Sequence, residues 1–461
     1  MPKKKTALTI EERLQQALVP AEEQPYEVPE NWVWTYISSG FDVTSSKRVH
    51  KSDWLSEGIP FYRTRELVKL SEQGYVDNEL FISEDLYKTF KKEFGVPQKN
   101  DLLISGVGTI GVPYVISDEK EFYFKDGNVI WLKNKGVFDA SYMYYLYKTV
   151  FIDNQIHSMS AGTTVDTYTI INAKNTIIPL PPLLEQQRIV ERIEELFAKL
   201  DEAKERLQEV ANSFAVRKAA ILHKAFTGEL TQQWRRENGV SDESWEEKKL
   251  EEVCSKITDG THNSPTNSLS GEYMYVTAKN IKDTGIDLSN ITYVTKEVHK
   301  EIYSRCDVIY GDVLYIKDGA TAGIATINTL KEEFSMLSSV ALIRTDLKLA
   351  KNEFVKDYLN YRKKEILKNI SGSAITRLTL SKIKDILIPL PTLPEQHEIV
   401  RLIDDLLARE RSAQQATEQA LASIDLMKKS ILARAFRGEL GTNKASEASA
   451  LELLRQVLAE N

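Results

Sequence analysis

The feature that most constrains this chain is a repeat at a fixed offset. Residues 178–190 read IPLPPLLEQQRIV and residues 388–400 read IPLPTLPEQHEIV, so nine of thirteen positions match at an offset of 210. At the same offset, KAAILHKAFTGEL at 218–230 corresponds to KKSILARAFRGEL at 428–440. Self-similarity at a constant period defines the architecture before any local pattern is considered. The chain is therefore a tandem duplication, and we expect a pseudo-two-fold arrangement.

The bulk composition is that of an ordinary globular chain. Its 461 residues predict about three domains, and 42% hydrophobic with 28% charged residues are normal values. No apolar run approaches the roughly 18 residues of a membrane span, and the basic start is not followed by an apolar signal core. Two cysteines provide no disulfide framework, so we expect a cytoplasmic location. The net charge of -7 does not exclude nucleic-acid binding, which depends on a basic face.

Each half contains a turn-rich block that ends at the repeated IPLP segment. Short β-branched and aromatic runs, broken by Gly, Asn and Asp, predict an α+β domain rich in short strands. The runs that we assign to strands are 59–63, 102–104, 129–132, 273–276, 313–316 and 340–343. The predicted boundaries are 1–27 for an N-terminal helical segment, 28–177 for the first block, 178–230 for the first helical spacer, 231–387 for a linker and the second block, 388–440 for the second spacer and 441–461 for a C-terminal helical segment.

A long helix follows each block. Apolar residues that step alternately by four and three form the a and d seam of a coiled coil in the first copy, and the second copy is in register with it. The seam positions are Ile189, Ile193, Leu196, Leu200, Ala203, Leu207, Val210 and Phe214, then Ile399, Ile403, Leu406, Glu410, Ala413, Thr417, Ala420 and Ile424. We expect the two helices to pack antiparallel within the chain, with one block at each end. An intermolecular coiled coil in a homodimer is the alternative.

The helix ends carry recognisable signals. Thr392 and Glu395 have capping-box spacing, and Gly228 and Gly438 stand where glycines terminate helices. The segments 9–19 and 446–460 are predicted to be helical and to lie near each other.

Apolar residues also flank the seam at matching places in both copies. These pairs are Phe197 with Leu407, Leu222 with Leu432, and Phe226 with Phe436. A two-stranded coil needs only a narrow apolar stripe, so a broader one suggests a protein partner that binds twice. Packing against the chain's own blocks is the alternative.

Motifs of catalysis are missing from the sequence. It contains no phosphate-binding Gly-x-x-x-x-Gly-Lys-Ser/Thr loop, no Gly-x-Gly-x-x-Gly after a strand and no Asn/Asp-Pro-Pro-Tyr/Phe of an adenine methyltransferase. The glycine-rich stretch at 105–111 has the wrong spacing for phosphate and is interpreted as a turn between strands. The six histidines show no metal-ligand spacing. We therefore predict no catalytic site, no metal and no bound cofactor.

These repeated segments closely resemble the DNA-specificity subunit of Type I restriction-modification systems, and the resemblance covers essentially the whole chain. Its signature is I-P-L-P-x-L-x-E-Q-x-x-I-V at the start of each helical region and A-F-x-G-E-L at its end. Motifs that fit the family's target-recognition domains are Gly58–Leu67, Asp101–Gly111, Thr258–His262, Gly311–Gly319 and Gly372–Arg377.

The resemblance implies a non-catalytic subunit with two α/β target-recognition domains at opposite ends of an antiparallel two-helix spacer. Each domain would read one half of a split double-stranded DNA target. The expected partners are two methyltransferase subunits, which bring S-adenosylmethionine and methylate adenine N6, and restriction subunits that use ATP and Mg²⁺. The single Thr227-Gly-Glu-Leu230 segment would help to set the unread gap.

Candidate contact residues follow from the chemistry of DNA. Base edges need donors and acceptors, whereas phosphates need mainly Lys, Arg and small hydroxyl residues. The DNA-binding candidates are Lys47, Arg48, Lys51, Arg63, Thr64, Arg65, Lys91, Lys92, Ser105, Thr109, Thr258, His262, Thr277, Lys279, Asn280, Lys317, Thr321 and Arg377. Ordinary solvent exposure is the alternative for each basic residue. If Arg63 and Arg65 lie on a strand, at most one of them faces the DNA.

The candidates for partner binding lie at the helix starts and ends. They are Glu185, Gln186, Phe197, Phe226, Glu395, Gln396, Leu407 and Phe436. Glu and Gln at a helix start can instead cap the helix. A coiled-coil adaptor with two protein-binding heads and no DNA readout is the competing function.

Overall fold

The structure, a computed structural model, describes residues 8–160, 166–368 and 377–460. Internal contacts divide the chain into two compact units, which we call unit 1 (Met1–Leu207 with Ala420–Asn461) and unit 2 (Gln208–Gln419). The helices are α1 (Ile10–Ala17), α2 (Ile37–Gly40), α3 (Thr64–Gln73), α4 (Glu84–Phe94), α5 (Ala140–Tyr147), α6 (Val150–Ser160), α7 (Ile170–Asn175), α8 (Leu183–Phe226), α9 (Gln232–Asn238), α10 (Lys296–Arg305), α11 (Asn352–Tyr361), α12 (Lys363–Lys368), α13 (Leu380–Lys384), α14 (Leu393–Ala435) and α15 (Ala450–Glu460).

The strands are short, as the turn-rich sequence predicts. They are β1 (Val33–Tyr36), β2 (Phe41–Thr44), β3 (Ile59–Tyr62), β4 (Phe81–Ile82), β5 (Leu102–Ser105), β6 (Pro113–Val115), β7 (Tyr123–Phe124), β8 (Val129–Asn134), β9 (Ile177–Leu180), β10 (Glu246–Lys249), β11 (Cys254–Asp259), β12 (Tyr273–Val276), β13 (Ile281–Lys282), β14 (Gly285–Ile286), β15 (Thr292–Val294), β16 (Val313–Ile316), β17 (Ala325–Ile327), β18 (Phe334–Met336), β19 (Val340–Thr345) and β20 (Leu387–Leu390). All six runs assigned to strands from the sequence are confirmed as β3, β5, β8, β12, β16 and β19.

In unit 1 the block contains two main sheets. One has the strand order β2-β8-β5-β6 with every pairing antiparallel, and the other has the order β4-β3-β7 with β3 and β7 parallel. A separate pair, β1 with β9, joins the start of the block to the first IPLP segment, with Val33 opposite Leu180.

In unit 2 the block repeats this topology despite its different sequence. The orders β11-β19-β16-β17 and β15-β12-β18 correspond to the two sheets of unit 1, again with one parallel pairing in the smaller sheet. The pair β10 with β20 joins the block to the second IPLP segment, with Glu246 opposite Leu390. The duplication predicted from the helical segments therefore includes the blocks.

The central strands bury both faces. In β5, Leu102 and Ile104 belong to the core that the helices cover, whereas Leu103 packs with Trp131 in a second core. In unit 2, Tyr315 of β16 belongs to the core that the helices cover, whereas Leu314 belongs to a second core on the opposite face of the sheet. Strands buried on both faces are continuous apolar runs, because successive side chains alternate between the faces.

The long helices pack against each other in antiparallel fashion inside each unit. In unit 1, Lys428 of α14 donates to Asp201 of α8 at 2.6 Å. In unit 2, Arg217 of α8 donates to Glu410 of α14 at 2.9 Å. The predicted packing within one chain is confirmed. The middle of the predicted seam differs, because Val210 is 41% exposed there. Small and polar seam residues in this stretch of α14 cover little of α8.

The helix ends follow the sequence signals in part. Gly228 and Gly438 have φ of 79° and 74°, the left-handed conformation that glycine adopts easily after a helix. The predicted capping box at Thr392 is wrong. The Glu395 Oε1 atom accepts hydrogen bonds from Thr231 and Arg235, and its Oε2 atom has no hydrogen-bond partner in the structure.

The terminal helices α1 and α15 pack together in unit 1, as predicted. The guanidinium of Arg13 donates to the Leu458 carbonyl at 3.1 Å, and Arg455 pairs with Glu11 at 3.3 Å. The IPLP-proximal Arg188 forms two hydrogen bonds to Glu447, at 2.7 and 2.8 Å, which fix the C-terminal segment to the start of α8. Among the described helices, none is long and apolar enough to cross a membrane.

Candidate nucleic-acid interface

Sheet topology places several of the predicted DNA-binding residues at one edge of each larger sheet. In unit 2, β11 and β16 are both antiparallel to β19, so they run in the same direction and their carboxyl ends lie at the same edge. The predicted residues Thr258, His262 and Lys317 lie at or just after these ends. The corresponding strands of unit 1, β2 and β5, are both antiparallel to β8. The loops after them carry Lys47–Lys51 and Ser105–Thr109 at the equivalent edge.

A charge network connects the loops at this edge in unit 2. The buried Lys317 ammonium lies 3.4 Å from Asp259 and 3.2 Å from Asp318. Asp259 is also buried, and it lies 3.4 Å from His262 and 3.4 Å from Arg305. Arg305 and the two aspartates were not among the candidates, because nothing in the local sequence reveals a pairing across loops 58 residues apart. Asp259 is the last residue of β11 and Asp318 lies two residues after β16, and this position at a strand end is the signal that could have identified them.

Two backbone features hold this network in place. At Gly260 a Cβ atom would lie 1.9 Å from the Met336 carbonyl oxygen, so the loop after β11 requires glycine there. Arg377 and Asp318 form an antiparallel bridge, and the Leu378 amide donates to the Lys317 carbonyl at 2.8 Å. Of the predicted motif 372–377, only Arg377 lies within the described residues.

A second group of candidates lies in the loop after β12. Thr277 and Lys279 line a cleft of about 660 Å³ together with Asn280, whose Oδ1 accepts hydrogen bonds from the amide and hydroxyl of Thr277. Tyr275 also lines the cleft, and its buried hydroxyl has no hydrogen-bond partner in the structure. Burial raises the pKa of Tyr275 to about 12, so the hydroxyl is a neutral donor. This residue was missed because Tyr on an apolar strand predicts core packing.

In unit 1 the basic candidates after β2 are on the surface. Lys47, Arg48 and Lys51 are exposed, and Arg48 contacts Asp126 at 3.0 Å with 70% of its side chain accessible. The Lys47 ammonium lies 5.2 Å from the centre of the Phe94 ring.

The Arg63-Thr64-Arg65 run is not part of a strand, which corrects that expectation. The strand β3 ends at Tyr62 and α3 begins at Thr64, so Arg63 is the N-cap residue of the helix. Both arginines contact the buried Glu66 carboxylate instead of pointing to opposite faces. These contacts lower the pKa of Glu66 against the opposing effect of burial.

Three DNA-binding candidates are buried, so they are corrected from contact residues to supporting residues. Ser105 is 1% exposed, and its hydroxyl accepts from the Val112 amide and fixes the glycine turn. Asn280 and Lys317 are 5% and 2% exposed and hold their own loops. The remaining candidates on the surface are Thr64, Lys91, Lys92, Thr109, Thr258, His262, Thr277, Lys279, Thr321 and Arg377. Among them, Lys91 pairs with Glu121 at 2.8 Å.

The partner-binding candidates divide sharply. Glu185, Gln186, Glu395 and Gln396 are 0% exposed, so they are corrected from docking residues to internal supports. The Gln186 side chain donates to the carbonyls of Val137 and Pro181 and accepts from the Asp139 amide. In the same way, Gln396 donates to the carbonyls of Leu349 and Pro391 and accepts from the Lys351 amide.

The aromatic and apolar candidates also differ from one another. Phe226 and Phe436 are buried under the blocks of their own units at 6% and 1% exposure, which corrects them as well. Phe197 and Leu407 are only partly buried. Leu407 lines a groove of about 1040 Å³ in unit 2 with Leu222 and Phe214.

No group of three or more His, Cys, Asp or Glu side chains within the described ranges could hold a metal ion. Burial raises the pKa of Cys254 and Cys306 to about 12, so both remain protonated thiols near neutral pH. A reactive cysteine needs the opposite shift. The arrangement is one of donors and cations at loop edges, suited to binding.

Comparison with known proteins agrees with this arrangement. The family model for the Type I restriction modification DNA specificity domain matches the chain twice, at residues 29–212 and 242–421. The specificity subunit of the type I restriction enzyme EcoBI from Escherichia coli is 25% identical over 448 residues, covering 92% of this chain and 90% of the relative. The EcoKI specificity subunit of E. coli strain K12 is 26% identical over 339 residues, covering 70% and 72%. The crystal structure of the HsdS subunit from Thermoanaerobacter tengcongensis superposes with a TM-score of 0.64 at 20% identity, covering 90% and 99%. That structure shares the fold.

Proposed function

Because the chain belongs to the family of Type I restriction-modification DNA specificity domains, we propose that it is the DNA-specificity subunit of such a complex. It reads a split double-stranded DNA target, one half with each block, and has no catalytic activity of its own. The observation that carries this proposal is the duplication itself. One family model matches both halves of the chain. Each block has a four-stranded sheet of the same topology, with polar and basic residues at the equivalent edge.

In this function the loops contact the DNA and the helices set the spacing of the target. Exposed cations such as Arg48 and Lys279 contact phosphates and position the blocks, while donors near the strand ends read base edges. The helical segments connect the two blocks, and we expect their length to set the spacing of the half-targets.

The partners supply the chemistry that this chain lacks. Two methyltransferase subunits bring S-adenosylmethionine and methylate adenine N6, and restriction subunits use ATP and Mg²⁺. We place methyltransferase docking at the partly buried Phe197 and Leu407, which occupy the same position of the two repeats. A cytoplasmic location follows from access to the chromosome.

The test is a map of N6-methyladenine in genomic DNA from cells that express this chain with its methyltransferase subunit, compared with cells that express the methyltransferase alone. We expect a split motif that disappears without this chain. Exchange of residues 28–177 for the first block of a relative should change one half of the motif and leave the other half intact. Unchanged methylation, or a short continuous motif, would contradict the proposal and favour a protein-binding adaptor.

A further inference from the structure

Arg377 forms an ion pair at the Nε end of its guanidinium. Its Nε lies 3.5 Å from Asp318 Oδ1, and 63% of its side chain is exposed. The two amino groups at the far end of the guanidinium have no hydrogen bond to a described residue. The contact is an ion pair without a hydrogen bond, so Asp318 biases the orientation of the guanidinium at Nε and leaves the two amino groups available to a ligand.

Asp318 is a fixed support for this arginine. Its Oδ2 lies 3.2 Å from the Lys317 ammonium, and the Lys317 side chain is only 3% exposed. The backbone bridge between Asp318 and Arg377 fixes the two segments of the chain relative to each other. Since the lysine is itself held by the buried Asp259 at 3.4 Å, the carboxylate cannot follow the arginine into solvent without breaking the network.

The free forked end of an arginine matches one base in particular. Guanine presents two acceptors, N7 and O6, in the major groove, and a bidentate arginine is the commonest specific contact to it. Phosphate also accepts hydrogen bonds from arginine, often in a bidentate way, but such a contact carries no sequence information. An arginine restrained by an anchored carboxylate is suited to base reading.

We infer that Arg377 reads a guanine in the half-target of the second block, and that Asp318, anchored by Lys317, is the positioning residue that aims its guanidinium. This inference rests on the proposed function. Lysine at position 377 would keep the charge and lose the planar fork, so it separates base reading from phosphate binding.

The experiment measures binding of the methyltransferase complex to DNA libraries randomised over both halves of the methylated motif. The complexes contain the wild-type chain, Arg377→Lys, Arg377→Ala, Asp318→Asn or Asp385→Asn. The last is the matched control, because it removes one exposed carboxylate of unit 2 that pairs with Lys249 instead.

For the wild type we expect a required guanine at one position of the second half-target. Arg377→Lys should reduce discrimination at that position about 10-fold or more, which is the range of one bidentate base contact. Asp318→Asn should relax the same position to a lesser degree, and Asp385→Asn should leave it unchanged. Preferences in the first half-target are the internal control for folding and assembly in every variant.

Several outcomes would overturn the inference. One is a second half-target without a required guanine. Another is an Arg377→Lys complex that keeps the wild-type base preference. A third is an Arg377→Ala complex that binds all DNA sequences more weakly by the same factor. Its plot of log binding constant against log salt concentration would have a slope smaller by about one, which marks the loss of a phosphate contact. These results leave the split motif intact, whereas failure of the proposed function removes the motif itself.

Discussion

Glu185 and Glu395 occupy the same position of the two repeats and are both fully buried, yet their partners differ. In unit 1, Glu185 accepts hydrogen bonds from the Trp32 indole at 2.7 Å and from Asn443 at 2.9 Å, which are neutral donors. In unit 2, Glu395 accepts from the guanidinium of Arg235 at 2.6 Å. The two repeats therefore keep a buried glutamate at the same position, but neutral donors compensate its charge in unit 1 and a guanidinium does so in unit 2.

A second difference lies beside the partly buried positions Phe197 and Leu407. In unit 1, Lys428 lies 5.0 Å from the centre of the Phe197 ring and pairs with Asp201. At the matching positions of unit 2, Lys218 and Arg411 are both cationic, and Lys218 approaches Asp283 at 3.8 Å instead. Because Arg411 stands where unit 1 has Asp201, unit 2 lacks the ion pair that lies beside Phe197 in unit 1. A groove lies beside Leu407 instead.

The largest expected effect comes from removing each buried carboxylate. Glu395→Leu should destabilise unit 2 by about 3–5 kcal/mol, because Arg235 is 6% exposed and would keep, among its described partners, the Thr231 hydroxyl and the more exposed Asp242 carboxylate but no buried anion. Glu185→Leu should cost about 1–3 kcal/mol in unit 1, because it leaves only neutral donors unsatisfied.

Hydrogen exchange of the full chain measures both effects locally, from peptides that cover residues 231–249 and 443–460. The control is Glu395→Leu combined with Arg235→Leu. Replacing a whole buried pair with apolar residues should recover most of the lost protection. Equal losses in the two single variants would contradict the distinction between charged and neutral compensation.

The next effect concerns the surface at Phe197 and Leu407 that we propose for methyltransferase docking. Leu407→Ser should weaken binding of one methyltransferase subunit about 10-fold, or about 1.4 kcal/mol, since it removes apolar area from an open groove. Phe197→Ser should weaken the other copy by a similar factor or less, because Lys428 already covers part of the ring. Native mass spectrometry should show two bound subunits for the wild type and one for each single variant. Two subunits bound to the double variant would exclude this surface.

Local periodicity was sufficient for much of the fold. The six strand runs, the long helices and their glycine ends all follow from spacing within a few residues. The fate of Glu185 and Gln186 could not be predicted in this way, because they contact residues such as Trp32 and Val137 that are distant in sequence. A polar residue on a helix start has the same local pattern whether it faces a partner or its own block.

The candidate interface shows the same division. The glycine turn at 105–111 and the basic loop after β2 were identified from composition. The strand at 59–62 was predicted correctly, but its extension through Arg63 to Arg65 was wrong, because the helix begins at Thr64 and local sequence does not separate a strand end from an N-cap there. The support of Arg377 by Asp318 depends on tertiary pairing that no periodicity records.

The smallest effect that distinguishes the repeats is a pH dependence in unit 1. Burial raises the pKa of Glu185, and hydrogen bonds from Trp32, Asn443 and Thr442 oppose part of that shift. A carboxyl with a raised folded pKa stabilises the fold fully below the ordinary Glu pKa of about 4.3, and this contribution is lost as pH rises through the folded value. Glu185→Gln has no such titration.

The difference in protection of residues 443–460 between wild type and Glu185→Gln should therefore fall as pH rises from about 4 towards neutrality, and then become constant. Glu447 in the same segment acts in the opposite direction. Its hydrogen bonds from Arg188 lower its pKa, so its contribution is lost as pH falls through that lowered value. Because Glu447 is present in both proteins, its effect cancels in the difference. A difference that rises with pH would mean that the hydrogen bonds from the neutral donors stabilise the Glu185 carboxylate more than burial destabilises it.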